Sequence, residues 1–376
     1  MVECECDVRV TPVKDLKYRR ICTELRKDIL SGRYNGSGAF PSIRALMMRF
    51  GLSKNTVLHA LEELKKQGLI SCSRGRTSAV TKIGANRQLG LVLPGIVPWS
   101  DYFRPIVDEI SRLAAEEGFD LLFRDAYSAT LKGRVRDVRE IVVEFVRRKV
   151  AGVIYQPFEF AADGRNENQK ILTSLTAHQV PVVLLDSDVV PPPGRSAYDL
   201  VTVDNVEAGE RLANHLFEGG ARNVHFFMCP EWLPTVLLRR RGVMCAALAR
   251  GRRWSAGNVL VARPDDKAAL RRHLLRRPRP DAFVCQNDAT AVALMRTLAE
   301  LGVVVPDEMM VAGFADIQMA RSVKPALTTV HQPALKIAET AFRRLVDRIV
   351  HPELPSVCIS MQAPLVIRES TKGKDK

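Results

Sequence analysis

The sequence predicts an α/β protein of two unequal parts: a small N-terminal winged helix-turn-helix and a larger two-lobed domain of parallel sheets. Three observations predict it. Residues 41–68 read as two short helices broken at one glycine, and from residue 89 onward short apolar runs alternate with helical patterns. The charge is also uneven. Of 376 residues with net charge +14, residues 1–87 hold 17 basic and 8 acidic side chains, leaving 39 and 34 for the other 289. A small, strongly basic segment on a milder body points to a polyanionic partner for the small part. A chain this long can bury a sizeable core in two or three domains.

Residues 1–12 read as a loose arm. From Val13 to Ser31 the apolar positions Leu16, Ile21, Leu25 and Ile29 mark an amphipathic helix, stopped by Gly32. The glycine-rich turn 32–38 follows no strand and leads to no Lys-Ser/Thr, so it is a connector rather than a phosphate loop. Ser42 then caps a helix whose Ile43, Leu46, Met47 and Phe50 share one face. Gly51 falls where that helix must end at positive φ. Ser53 caps the next helix, where Val57, Leu61 and Leu64 repeat at helical spacing. Its first turn carries Lys54, Asn55 and Thr56, side chains able to donate to phosphates or base edges, as a recognition helix requires. A helical hairpin with a solvated face would share this apolar spacing. Residues 68–80 read as two short strands around a tip at Arg74-Gly75-Arg76, a wing whose arginines suit a groove or its phosphates.

Residues 83–88 read as a linker, after which the period changes. Runs 89–93, 120–123, 151–155 and 180–185 predict strands, with helices over 101–118, 134–149 and 166–178 between them. After the break Val190-Pro-Pro-Pro-Gly194 the alternation resumes, with strands at 200–203, 223–227, 282–285 and 309–312. Strands alternating with helices imply βαβ units and parallel sheets buried on both faces. Two such lobes leave a cleft at their strand C-termini, the usual ligand position.

The order Ile29-Leu-Ser-Gly-Arg33, Phe40-Pro-Ser-Ile-Arg44, Phe50-Gly-Leu-Ser53-Lys-Asn-Thr-Val57, Ala60-Leu-Glu-Glu-Leu64 and Gly68-Leu-Ile70 resembles the gluconate-repressor (GntR) type of DNA-binding domain, from Val13 to Thr81. The resemblance implies that Arg44, Ser53, Lys54, Asn55, Thr56, Arg74 and Arg76 lie at DNA, with Ser42 at the start of the first helix counted beside them. Leu58 departs from the pattern, falling where many members carry Arg, and His59 is its candidate substitute.

The larger part resembles the effector domain of the lactose/galactose-repressor (LacI) family, a type I periplasmic-binding-protein-like fold. The matching residues are Val203-Asp-Asn205, Gly219-Gly220, Arg239-Arg-Arg-Gly242, Gln286-Asn-Asp288, Gly302-Val-Val-Val-Pro306, Val311-Ala-Gly-Phe314 and Pro325–Pro333. The resemblance implies three crossings between lobes, near 185–190, 314–319 and 330–333. Lobe 1 then takes about 89–187 and 315–331, lobe 2 about 188–314 and 332–369, with 370–376 a tail.

In that family an Arg three residues before a Gly, an Asn of an Asn-Asp pair and an Asp after Gly-Tyr/Phe bind a sugar. Here those positions hold Arg239, Asn287 and Ala315. Ala315 cannot accept a hydrogen bond, so Asp316 is the candidate replacement, and its alternative is an ordinary loop carboxylate. Asp288 begins a helix, where capping explains it as well as ligand binding does. A sugar also offers an apolar ring face, for which Trp99, Tyr102, Phe103, Phe158 and Trp232 near strand ends are candidate stacking partners.

Other classes are excluded or left as rivals. The eight cysteines show no CxxC and no metal-ligand spacing, which suits free thiols in a reducing compartment. No metal and no cofactor are expected. No apolar run is long enough for a membrane span and no signal peptide is visible, so the expected location is cytoplasmic. No Gly-x-Ser-x-Gly, His-Glu-x-x-His or phosphate loop is present, so an enzyme is not expected. The resemblances together imply a regulator, a repressor by expectation. It would bind double-stranded operator DNA as a homodimer and respond to a sugar or related polyol. The rivals are a sugar- or nucleoside-binding module that no longer reads sequence, and a regulator that has lost its effector.

Overall fold

The computed structural model describes residues 13–30, 33–34, 40–66, 69–71, 78–80, 87–94, 101–126, 130–158, 164–230 and 234–372. Its first unit is helical. α1 (Val13–Leu30), α2 (Ile43–Phe50) and α3 (Lys54–Lys66) pack through Ile21, Leu25, Leu46, Val57, Ala60 and Leu64, all fully buried. The Ser42 hydroxyl accepts the Ala45 amide at 3.2 Å and so starts α2. Gly51, at φ 63°, ends it in the left-handed region and turns the chain into α3. β1 (Ile70–Ser71) and β2 (Ala79–Val80) then pair antiparallel, Ile70 opposite Val80. These are the two sides of the expected wing. Its tip, with Arg74 and Arg76, lies outside the described residues, as do the arm and most of the linker.

The second unit alternates strand and helix as far as one lobe goes: β3 (Gln88–Pro94), α4 (Phe103–Glu116), β4 (Asp120–Ala126), α5 (Leu131–Arg148), β5 (Gly152–Tyr155), α6 (Gly164–Ala177), β6 (Val182–Leu185) and β7 (Asp199–Val203). The other lobe follows with α7 (Asn205–Glu218), β8 (Val224–Met228), α8 (Pro234–Ala249), β9 (Val259–Val261), α9 (Lys267–Leu274), β10 (Ala282–Cys285), α10 (Asp288–Glu300), β11 (Met310–Ala312), α11 (Gln318–Ser322) and β12 (Thr329–Val330). The chain then returns for α12 (Ala334–Val350) and β13 (Cys358–Met361), and crosses again to β14 (Leu365–Val366). Lobe 1 is a six-stranded parallel sheet, β13-β7-β6-β5-β3-β4. Lobe 2 is a four-stranded parallel sheet, β11-β10-β8-β9, extended by bridges to the β12–β14 pair.

The lobe boundaries differ from the sequence expectation. β7, expected in lobe 2, pairs with β6 in the lobe 1 sheet, and β13 pairs with β7. Segment 315–331 belongs with lobe 2, and α12, expected there, packs on α4, β5, β6 and β7 of lobe 1. Crossings therefore fall at Asp204, at 331–333 and at 362–364. An apolar run announces a buried strand but does not say which sheet receives it. The expected loose tail also starts later than residue 370. Ser370 and Thr371 are buried, with Ser370 Oγ donating to Val311 O at 2.6 Å and accepting from Thr328 N at 2.9 Å.

Two contacts fix the geometry around the cleft. α7 and α8 cross so closely that a Cβ on Gly209 would stand 2.2 Å from Arg239 O, and one on Gly242 would stand 2.0 Å from Val206 O. α12 is tied to lobe 1 by Asp199, 1 % exposed, which receives Arg344 at 2.9 Å and Arg348 at 2.7 Å. The helical unit rests on this same lobe, α1 against α12. Among the described residues no helix is long and apolar enough to cross a membrane.

Candidate operator interface and ligand cleft

The first turn of α3 carries no acidic residue, so the positive end of its dipole is not neutralised locally. Lys54 and Asn55 are exposed there, and Arg44 is exposed on α2. Ser53 Oγ lies 2.9 Å from Thr56 Oγ1 and accepts the Thr56 amide at 3.4 Å, which ties both hydroxyls to the cap. Ser42 caps its own helix in the same way. His59 is exposed but its ring stacks on Tyr18, centroids 4.3 Å apart, and this holds it against α1. Leu58 is half-buried beside it. Arg49, one turn before the recognition helix, is a brace: it donates to Asp28 at 2.5 Å and to Tyr34 at 3.2 Å.

The cleft is organised by Arg239 on α8. Its guanidinium is buried, donates from Nε to Asn205 Oδ1 at 2.8 Å and from Nη1 to Gln286 O at 2.7 Å, and covers the Phe314 ring. Burial pulls its pKa down to about 10, against the pull of Asp186 and Tyr102, so it stays charged at neutral pH. Asp186 follows β6 at φ 64° and is 4 % exposed. Burial raises its pKa, while Arg239, Tyr102 and Gln332 pull the other way. The Tyr102 hydroxyl is pushed well above its usual value by burial and then by Asp186.

Four polar atoms here are buried without a hydrogen bond of good geometry, although Tyr102 and Gln332 both approach Asp186: Tyr102 Oη, Gln156 Oε1, Asp186 Oδ1 and Gln332 Nε2. Gln156 follows β5 as Asp186 follows the neighbouring strand β6, and Gln332 lies on a lobe crossing. Each such atom costs free energy in a dry interior unless something bonds it. Together they offer a carboxylate, a hydroxyl and two amides beside a guanidinium, a set that matches vicinal hydroxyls.

The sequence-predicted residues divide. Arg239 and Tyr102 meet at this cluster. Phe103 packs edge-on against Tyr102, ring centroids 4.8 Å apart, and joins the core. Phe158 is not a stacking face: it is 2 % exposed in the lobe 1 core, with its backbone held on both sides by Asn168 at 2.8 and 3.1 Å. Asn287 caps α10, its Oδ1 accepting the Thr290 amide at 2.9 Å. Asp288 is fully buried and ties segments of lobe 2 together, accepting Thr329 Oγ1 at 2.6 Å and the Ile317 amide at 3.0 Å. Asp316, the candidate replacement for Ala315, is engaged within an ion-pair network. Its oxygens are taken by Arg368 at 2.5 Å, Arg321 at 2.8 Å and His331 at 3.2 Å. Trp99 and Trp232 lie outside the described residues. Gln156, Asp186 and Gln332 are not among the sequence candidates. The available signal was a polar side chain directly after an apolar strand, as in Tyr155-Gln156 and Leu185-Asp186.

Residues 17–80 match the gntR family of bacterial regulatory proteins, and residues 213–371 match the periplasmic binding protein-like domain. The chain is 28% identical, over 367 residues, to the arabinose metabolism transcriptional repressor of Geobacillus stearothermophilus, covering 95% of this chain and 98% of the relative. Among solved structures it resembles the transcription regulator CcpA of Lactococcus lactis, with TM-score 0.65 and 21% identity over 76% of this chain and all of that one. It also resembles the transcriptional regulator CelR in complex with cellobiose, with TM-score 0.64 and 22% identity over 92% and 98% of the two chains.

Proposed function

Because the chain is a DNA-binding transcriptional regulator that joins a gntR-family domain to a LacI-type sensor, we propose that a small polyhydroxylated ligand, a sugar, sets its operator affinity from the interlobe cleft. One observation carries the reading. The buried polar atoms of Tyr102, Asp186, Gln332 and Gln156 lack a hydrogen bond of good geometry, and Tyr102 and Asp186 stand beside a desolvated Arg239. The names of two relatives, an arabinose metabolism repressor and a cellobiose complex, support a sugar over a nucleoside.

The mechanism is linkage. Ligand closing the lobes changes the spacing of two recognition helices in a homodimer, and so the fit to two half-sites on a cytoplasmic chromosome. Exposed Lys54, Asn55 and Arg44, with the wing arginines Arg74 and Arg76, meet the DNA. The chain works by binding and release, as its repressor relative does, rather than by turnover. A domain of residues 13–82 reads the operator and the rest of the chain senses.

The test is a thermal-shift screen with L-arabinose, D-ribose, cellobiose, sugar acids and nucleosides, followed by gel shifts on genomic fragments. A ligand at a hundred times its dissociation constant adds about 2.7 kcal/mol to native-state stability. A sugar that raises the melting temperature and changes operator affinity, with both effects lost in Arg239→Ala, is the expected result. A nucleoside hit alone, or no hit with intact operator binding, overturns the sugar assignment.

A further inference from the structure

Away from the cleft, lobe 2 holds a second cavity of about 440 Å³ that the reading above does not use. Arg222, Arg252, Arg253, Arg276 and Arg277 line it, with Trp254 in its wall and no acidic side chain among its lining residues. It opens at the start of β8, the opposite end of the sheet from the strand C-termini that face the cleft. A neighbouring carboxylate, Asp281, is turned onto the main chain and accepts the Arg222 and Asn223 amides at 2.8 and 2.9 Å. Arg276 reaches across from the turn before β10. A Cβ on Gly257 would stand 2.9 Å from its Nη2, so this guanidinium lies on the 255–258 turn of the opposite wall.

Five guanidinium groups around one concavity repel each other, and nothing in its lining neutralises them. His225 lines the floor and shares a hydrogen bond of 2.7 Å with His273 behind it, and neither adds positive charge at neutral pH, because burial pulls both well down. Planar guanidinium groups bind phosphate oxygens in pairs. The half-buried Trp254 ring adds an apolar face beside them. We propose that this cavity is a second ligand site on lobe 2, taking a small phosphate-bearing metabolite. Its size suits a nucleotide or a sugar phosphate, and a cavity walled on several sides excludes a duplex. The DNA-binding unit rests on the other lobe, through α1 and α12.

The full-length protein is titrated calorimetrically at low salt with pyrophosphate, ATP, glucose 6-phosphate and glucose. At least one phosphate-bearing probe binds saturably, one per chain, and glucose does not bind at this site. Arg253→Ala and Arg276→Ala each weaken that binding at least about tenfold. Arg276→Lys loses less, and Arg279→Ala, which removes a nearby charge that does not line the cavity, leaves it unchanged. ATP binding more tightly than pyrophosphate names a nucleotide; glucose 6-phosphate binding more tightly names a sugar phosphate. No saturable binding by any phosphate probe overturns the proposal. So does equal weakening by Arg279→Ala, which reports diffuse charge. So does loss of non-specific duplex affinity in the arginine variants without small-anion binding, which makes the patch a DNA contact. None of these outcomes depends on the cleft, so the sugar reading stands or falls separately.

Discussion

The guanidinium of Arg239 lies 3.6 Å from the centre of the Phe314 ring. This contact joins α8 to the second residue after β11, and it holds a desolvated cation on lobe 2 beside Asn205, next to the crossing at Asp204. A ligand closing the cleft meets a charge that is already oriented by Asn205, Gln286 and an aromatic face. The charge does not have to be ordered when the ligand arrives.

Arg239→Ala therefore removes both the cation and the brace. Effector affinity falls by at least about a hundredfold, since hydrogen bonds to charged groups contribute roughly 1.5–3 kcal/mol each and at least two are lost. Asp186→Asn removes one acceptor and the counter-charge of the buried Arg239, so effector affinity falls and the ligand-free melting temperature falls with it. Calorimetric titration with the effector, beside melts of the ligand-free proteins, separates the two. Wild-type affinity in Asp186→Asn removes that carboxylate from the site.

Gly209 and Gly242 allow α7 and α8 to meet backbone to backbone. Gly242→Ala puts a methyl group 2.0 Å from Val206 O, and the helices must part. Overpacking of this kind costs about 1–3 kcal/mol, and it also displaces Arg239, which is on the same helix. Urea denaturation reads the first effect and effector titration the second. An alanine there that leaves stability and affinity intact disproves the close crossing.

The His225–His273 pair makes lobe 2 sensitive to acid. Both pKa values are pulled from 6.5 to about 4, chiefly by burial. The unfolded chain then takes up protons first. Stability from this source is complete above pH 6.5 and is lost as pH falls toward 4. Asp186 and Asp288 shift upward, so their contribution runs the other way, rising as pH falls through the window above 3.8. Urea midpoints at pH 7 and pH 5 fall apart in the wild type and converge in His225→Phe/His273→Leu. An undiminished gap in the double variant would place the acid sensitivity elsewhere.

At the DNA, Asn55→Ala costs about 1–3 kcal/mol on the operator and relaxes preference at one position per half-site. Lys54→Ala weakens operator and random duplex alike and lowers the salt slope by about one. The wing change Arg74→Ala is expected to behave like Lys54→Ala. Gel shifts over a salt series decide it, and parallel losses on both DNAs for Asn55→Ala would remove its base-reading role.

The helix-turn-helix was legible because its signals are local: Ser42, Gly51 and Ser53 each act within four residues. The strands were legible as apolar runs, but their partners were not. Nothing within Leu200–Val203 distinguishes a place beside β6 from a place beside β8. β13 was missed because it is an edge strand whose residues are alternately exposed and half-buried. In the cleft, Arg239 was visible through its spacing to Gly242. Asn287, Asp288 and Asp316 occupy plausible positions, yet a cap, a buried staple and an ion-pair network use their polar atoms. Gln156 and Gln332 escaped notice because lacking a partner is a property of packing, which neighbours in sequence do not reveal.

The last stitch of the chain, from β13 in one lobe to β14 and Ser370 in the other, has a consequence for synthesis. The N-terminal reader is complete once its wing leaves the ribosome. Neither half of the sensor is complete until residues 358–371 emerge, because they supply one edge of lobe 1 and the flank of β11 in lobe 2. Removing residues 358–371 therefore strips an edge from each lobe at once while leaving every residue of the reader's own core in place.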